Sequence, residues 1–272
     1  MQRVKNDTKK IFLKKGACSH TFFHILNREF DNNKPVEERA TDPLAGGILQ
    51  MGHQCGMLWG SSMAVGQEAY RRTDTIDQAL ALAMKATQHL MRSFHDRTRS
   101  HHCSDITETD FSKRLHMLRY MIFRAHSCFS LAKHWTADAI KAAKEGLSSS
   151  SPLPNKCLCC TSELVKKMNG SSEQMATVAG LAGGMGLSGN ACAALSTAIW
   201  MKAMKWCKDN PDKSLYNYPE GRNILEAFYK VTGNTIECKE ITGKRFENIE
   251  EHTEFIENGG CKDIINELSK IS

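Results

Sequence analysis

Residues 44–58 read Leu-Ala-Gly-Gly-Ile-Leu-Gln-Met-Gly-His-Gln-Cys-Gly-Met-Leu, and residues 181–195 read Leu-Ala-Gly-Gly-Met-Gly-Leu-Ser-Gly-Asn-Ala-Cys-Ala-Ala-Leu. The two stretches share seven of fifteen residues without a gap. Agreement of this density in a long chain indicates descent from one ancestral segment. We therefore interpret the protein as a tandem duplication.

Eight of the eleven cysteines repeat one spacing, with gaps of 37, 48 and 25 residues in the first set and 32, 46 and 23 in the second. The first tetrad is Cys18, Cys55, Cys103 and Cys128, and the second tetrad is Cys160, Cys192, Cys238 and Cys261. The sequence after the third cysteine also repeats, because Cys103 to Phe111 shares its cysteine, isoleucine, threonine and phenylalanine with Cys238 to Phe246. Each half is expected to carry one site made of four thiols.

Helical periodicity dominates the chain, and the alternating pattern of strands is almost absent. Residues 74–91 are typical of an amphipathic helix, and 112–130 and 131–144 predict two more. A Ser-rich and Pro-rich linker over 146–154 predicts domains at 1–150 and 151–272. The fold class is therefore predicted as all-α, with two tandem copies of one helical domain related by pseudo-two-fold symmetry.

Glycine is dense just before Cys192, and each glycine inside a helix costs about 0.5 to 1 kcal/mol relative to alanine. A loop or broken helix is expected there. In the first half, Gly52, Gly56 and Gly60 recur every fourth residue, which predicts a helix face that another backbone approaches closely.

The net charge is +6, but the segment before Cys18, which includes Arg3 and Lys5, carries about +5 of it. The nearly neutral remainder argues against a nucleic-acid groove. Residues 175–201 lack charge, yet their Gly, Ala, Ser and Thr content predicts a buried helix and not a membrane span. No secretory signal is recognised, so a cytoplasmic protein is expected, and cysteines in that compartment indicate metal binding or redox chemistry.

Four separated anchors now support a resemblance. They are a cysteine that begins a helix, Cys18-Ser-His-Thr-Phe-Phe; a glycine-rich run into Cys55-Gly-Met-Leu-Trp-Gly60; and two further, well-separated cysteines. The arrangement resembles the C-GCAxxG-C-C family of redox-active proteins, and it occurs twice between Gly16 and Ile271. The resemblance implies four cysteine ligands in each half.

This family is similar to the split-Soret cytochromes c, which combine a cysteine-bound iron-sulfur centre with covalent haem. Cys157 and Cys160 are followed by Thr161, so the Cys-x-x-Cys-His motif is absent and covalent haem is not implied. Four dispersed thiolates suit zinc or an iron-sulfur cluster, and the lack of close ligand pairs favours a cluster. The same resemblance favours [2Fe-2S], while [4Fe-4S] stays open.

The function predicted is a redox protein that serves in electron transfer or as a reductase component, with a redox partner protein. Alternatives are thiol-disulfide exchange, and a non-catalytic module that binds or delivers sulfur or a soft metal, with Cys157, Cys159 and Cys160 as exposed working thiols. Zinc binding and inert buried cysteines also stay open. The chain is expected to form a pseudo-dimer by itself, and further self-association stays open.

Histidines accompany the first tetrad, and in the second half other residue types stand near the corresponding positions. Two interpretations follow: these side chains contact the thiols from outside, or they bind a different ligand. The histidines concerned are His20, His24, His53, His101, His102 and His126.

Overall fold

The structure is a computed structural model that describes residues 7–110, 113–120, 125–150, 152–213, 215 and 218–271. Arg3 and Lys5 of the basic segment lie outside these residues, as do Phe111 and parts of the helix predicted at 112–130.

The described residues form helices and no strand, so the all-α prediction is confirmed. The helices of the first half are α1 (Thr8–Lys15), α2 (Cys18–Glu29), α3 (Pro35–Arg39), a short 3₁₀ helix (Asp42–Leu44), α4 (Gly56–Arg72), α5 (Ile76–Thr98), α6 (Cys103–Thr107), α7 (Arg114–Arg119) and α8 (Ala125–Leu147). Those of the second half are α9 (Cys160–Lys167), α10 (Ser172–Ala179), α11 (Ala193–Asp209), α12 (Pro219–Thr232), α13 (Cys238–Thr242), α14 (Ile249–Glu257) and α15 (Lys262–Ser269).

Equivalent cysteines of the two halves stand at the starts of equivalent helices. The helices that follow Cys55 and Cys192 are each 17 residues long, and those that begin at Cys103 and Cys238 are each five residues long. This order agrees with a tandem duplication. The pseudo-two-fold relation and a domain boundary between residues 150 and 151 stay predictions.

The two glycine-rich stretches fold into the same left-handed turn. Positive φ angles occur at 46, 47, 48, 49, 50 and 52 in the first stretch and at 183, 184, 185, 186, 187 and 189 in the second. In each turn the last glycine donates its amide to the carbonyl of the first, at 2.9 Å from Gly52 to Gly46 and 2.9 Å from Gly189 to Gly183. The loop expected before Cys192 is confirmed.

The uncharged segment 175–201 is therefore not one helix, and that part of the prediction is wrong. α10 ends at Ala179, the turn follows, and α11 begins at Ala193. The physical reason is the glycine density, because residues with positive φ cannot continue a right-handed helix. Within the described ranges, no helix has the length and apolar character needed to cross a membrane.

Helices of the two halves pack on each other. α10 lies against α4 so closely that a Cβ on Gly66 would sit 2.4 Å from the Ala176 carbonyl oxygen. A second contact joins the halves, because the indole of Trp200 on α11 donates to the Glu37 carbonyl of α3 at 3.0 Å. Each half thus completes the core of the other.

His252 on α14 provides a pH-dependent test of this core. Its side chain is buried, and burial lowers its pKa to about 4. Because an unfolded histidine titrates near 6.5, the stability that His252 contributes is full above that pH, falls as the pH drops below it and is fully lost by about pH 4. Between pH 7 and pH 5, wild type should lose about 2 kcal/mol more unfolding free energy than His252→Asn.

Urea unfolding at the two pH values measures this difference. His134→Asn is the control, since it makes the same substitution at an exposed histidine, on α8. Equal pH dependence in wild type and His252→Asn would show that His252 is not the titrating group.

Candidate functional site

The predicted ligand cysteines lie at the starts of helices. Cys18 and Cys160 begin α2 and α9, Cys55 and Cys192 precede α4 and α11, Cys103 and Cys238 begin α6 and α13, Cys128 lies in the first turn of α8, and Cys261 precedes α15. Free amides and the positive end of the helix dipole are available at such positions, and both stabilise a thiolate.

Backbone hydrogen bonds hold the second and third cysteines of each tetrad side by side. The Cys55 amide donates to the His101 carbonyl at 2.8 Å, and the Cys103 amide donates to the His53 carbonyl at 2.7 Å. In the second half the Cys192 and Cys238 amides make the equivalent bonds, to Ile236 at 2.8 Å and Asn190 at 2.7 Å. The left-handed turn and this short ladder therefore place two thiols of each tetrad by backbone geometry alone.

Glycines of α4 allow the first cysteine, at the start of α2, to lie against that helix. A Cβ on Gly56 would lie 2.4 Å from the Cys18 sulfur, and a Cβ on Gly60 would lie 2.0 Å from the Ser19 carbonyl oxygen. The close helix crossing predicted for this face is confirmed at these two residues. Gly52 does not share that face, because it lies in the left-handed turn before α4 begins.

In the first tetrad, every pair of thiols is close enough to interact electrostatically. Burial and the mutual repulsion of the thiolates raise the pKa of Cys18 to about 11 and raise those of Cys55 and Cys103 well above the usual value. Burial raises the pKa of Cys128, and the hydrogen bond from the Tyr120 hydroxyl partly opposes that rise.

The second tetrad repeats this pattern, again with an interaction between every pair. Burial and neighbouring thiols raise the pKa of Cys160 and Cys238, and the pKa of Cys261 rises to about 12. Burial raises the pKa of Cys192, and hydrogen bonds from the backbone amides of Ala194 and Leu195 partly offset that rise. The four thiols of each tetrad thus form one electrostatically interacting group, and their role as ligands of one cofactor stays a prediction.

Tyr120 is a site residue that sequence reasoning missed. Its hydroxyl donates to the Cys128 sulfur at 2.9 Å, and burial raises its own pKa. A tyrosine eight residues before a cysteine has no recognisable sequence signature, so no signal distinguished it from other tyrosines. The contact stabilises the thiolate form of Cys128.

A cavity of about 470 Å³ lies beside the first tetrad and was not predicted. All four of its thiols line the cavity, together with Lys15 and Tyr120 of the first half. Leu215, Tyr218 and Arg222 of the second half also line it. Because both halves contribute to the wall, the cavity depends on their packing and has no sequence signature.

Cys157, Cys159 and Cys160 are buried, which corrects the alternative in which these three thiols are exposed. The Cys157 amide donates to a carboxylate oxygen of Asp77 at 2.7 Å, and the Cys159 sulfur lies 3.1 Å from the Ser162 hydroxyl. The segment before α9 is therefore fixed by its own contacts. None of the eleven cysteines forms a disulfide.

The histidines near the first tetrad have varied partners. His20 Nδ1 lies 3.0 Å from Asp42, and His24 Nδ1 lies 2.9 Å from Glu38. His101 Nε2 contacts the Met91 carbonyl at 3.1 Å, and His126 is exposed. His53 and His102 approach Glu237 of the second half. The interpretation that these side chains contact the thiols is therefore not supported for His20, His24 and His101, whose hydrogen-bond partners are oxygen atoms.

Fold and site together define an all-helical protein with two groups of four thiols, each group interacting electrostatically within itself. The model of the family described as "Putative redox-active protein (C_GCAxxG_C_C)" matches residues 17–170 and again residues 156–272. The chain belongs to this family, and its two matches agree with a tandem repeat. No curated protein and no solved structure matches the chain.

The donor set fits a metal cofactor. Burial and repulsion disfavour four thiolates on their own, whereas a positively charged metal core between them reverses the balance and deprotonates coordinating thiols. Membership of a redox-active family and many buried cysteines are compatible with redox or metal chemistry.

Proposed function

We propose that each tetrad binds one iron-sulfur cluster and that the protein transfers electrons or serves as a component of a reductase. The observation that carries this proposal is the electrostatic interaction among four buried or half-buried thiols in each half. Iron-sulfur clusters take four cysteine ligands, and the number of thiols matches in both halves.

Ligand spacing favours a cluster over structural zinc. Zinc sites commonly take ligands in pairs a few residues apart, whereas the shortest gap within a tetrad is 23 residues. Such ligands come from different helices, and the scaffold must bring them together. We favour [2Fe-2S], with [4Fe-4S] as the other cluster that accepts four cysteines.

The residues of the chain would hold and insulate the cofactor. Cys18, Cys55, Cys103 and Cys128 would bind the first cluster, and Cys160, Cys192, Cys238 and Cys261 the second. A bound cluster supplies a site that accepts and releases one electron. Burial restricts water at the thiolates, and amide donors such as those of Met57 and Ala194 stabilise negative charge on sulfur.

The cavity beside the first tetrad supports access by a small molecule or by a partner's side chain. It contains both cations and tyrosines, among them Arg222 and Tyr218. We propose a redox partner protein and a cytoplasmic location, where reduced thiols favour cluster binding over disulfides.

Anaerobic purification followed by iron, sulfide and zinc analysis tests the proposal. Two [2Fe-2S] clusters correspond to about four iron and four sulfide per chain, and two [4Fe-4S] clusters to about eight of each. The visible spectrum should bleach on reduction. A colourless, iron-free protein with stoichiometric zinc or reactive thiols would contradict it.

The alternative is binding of sulfur or a soft metal, or thiol-disulfide exchange. This alternative rests on the additional thiols near the second tetrad. Cys159 interacts electrostatically with Cys160, and the Cys157 sulfur lies 4.0 Å from the Met84 sulfur. Both thiols are buried, and the proposed redox role does not require either to react. Selective alkylation of Cys157 or Cys159 in the native protein would therefore favour this alternative.

A further inference from the structure

Three metal-binding side chains from the two halves meet outside both tetrads. They are His53, His102 and Glu237, and their ligand atoms all lie within 4.8 Å of one another. None of them belongs to a tetrad, but each is one or two residues from a tetrad cysteine in sequence. The group lies where the first half contacts the second.

Backbone geometry fixes this group. His102 pairs with Gln54 in one isolated antiparallel bridge, and Glu237 pairs with Ala191 in the other. Gln54 joins the bridges, since its Nε2 donates to the Gly184 carbonyl at 3.1 Å and its Oε1 accepts from the Ala191 amide at 3.2 Å. The three side chains therefore project from one hydrogen-bonded unit that spans the two halves.

The spacing fits metal ligands better than a hydrogen bond. His53 Nδ1 lies 3.6 Å from Glu237 Oε1, beyond the normal hydrogen-bond range. Two ligand atoms about 2.1 Å from a tetrahedral metal are themselves about 3.4 Å apart. The ligand atoms lie within 4.8 Å of one another, so closing any pair to that value needs at most about 1.4 Å. Side-chain rotation provides such a movement.

We propose that His53, His102 and Glu237 bind one divalent transition-metal ion of the zinc class at the contact between the halves. Two imidazoles and one carboxylate are a ligand set used for such ions, and three protein ligands leave a position for water or a further ligand. The side chains of His53 and Glu237 are 18% and 20% exposed, so an ion can reach them from solvent. The ion would tie the two halves together.

Zinc uptake by anaerobically purified protein tests the site, with iron and sulfide measured on the same samples. Wild type should bind one zinc ion with nitrogen and oxygen ligands, seen as a short shell near 2.0 to 2.1 Å in X-ray absorption, not the sulfur shell near 2.3 Å. His102→Ala and Glu237→Gln should each weaken zinc binding more than about tenfold. Mutating a residue that only supports a metal ligand already lowers metal affinity by about that factor.

Glu237→Gln is nearly isosteric and guards against a folding defect, and its thermal unfolding without added zinc should match wild type. His134→Ala is the matched control, because that histidine is exposed on α8. Zinc bound only through sulfur, or uptake unchanged in Glu237→Gln and His102→Ala, would overturn the proposal. The iron and sulfide content reports on the cluster proposal separately, since these variants retain all eight cysteines.

Discussion

Replacing Cys55 with serine is expected to remove the first centre and leave the second. Cys55 is buried, interacts with the other three thiols of its tetrad and precedes α4, so its loss leaves a cluster with three thiolates. Iron and sulfide should fall to about half of the wild-type content, given one cluster per tetrad. Cys192→Ser should produce the same loss from the second centre.

Cys207→Ser is the matched control, because Cys207 is buried but belongs to neither tetrad. Its iron content should equal that of wild type. Full iron in Cys55→Ser would exclude that thiol as a required ligand. Loss of all iron from Cys55→Ser alone, with the fold intact by circular dichroism, would mean that the two tetrads do not bind clusters independently.

Replacing Gly47 or Gly184 with alanine is expected to destabilise the protein severely. A Cβ on Gly47 would lie 2.3 Å from the His53 nitrogen, and a Cβ on Gly184 would lie 2.4 Å from the Asn190 carbonyl oxygen. Both contacts are with backbone, which a side-chain rotation cannot relieve. We expect a loss of about 3 kcal/mol or more in unfolding free energy at either position.

Gly243→Ala separates the clash from the cost of the left-handed conformation. Gly243 has φ of 74°, close to 79° at Gly47 and 77° at Gly184, but an added Cβ meets nothing within 4 Å. It should lose only about 1 kcal/mol in chemical denaturation. Equal losses at all three positions would show that backbone strain, and not the close approach within the turn, limits these glycines. The two turn variants should also lose iron, because the turns position Cys55 and Cys192.

Much of the fold followed from the sequence. The repeated Leu-Ala-Gly-Gly stretches predicted equivalent segments, and both fold into the same left-handed turn. The helix predicted at 74–91 is α5, in which the Thr75 hydroxyl accepts from the Gln78 amide at 3.3 Å. These features depend on neighbouring residues and on backbone sterics, which are readable from the chain itself.

Other features were out of reach of sequence reasoning. Cys157 and Cys159 follow the proline-containing linker and were exposed thiols in the alternative function, but both are buried and hydrogen-bonded to Asp77 and Ser162. The contact of Tyr120 with Cys128 likewise joins residues with no shared periodicity. Burial of this kind depends on which distant elements cover a segment, and local pattern does not carry that information.

The sequence by itself determined the helical class, the repeat and the shared spacing of the eight cysteines, because each of these depends on the order of residues along one chain. Only the tertiary structure decided how the halves combine: the cavity walled by residues such as Cys55 and Arg222, and the group of His53, His102 and Glu237. The physical reason is that these arrangements join residues more than a hundred positions apart. Their proximity arises from the packing of helices between the halves and from the Gln54 hydrogen bonds, which exist only after folding.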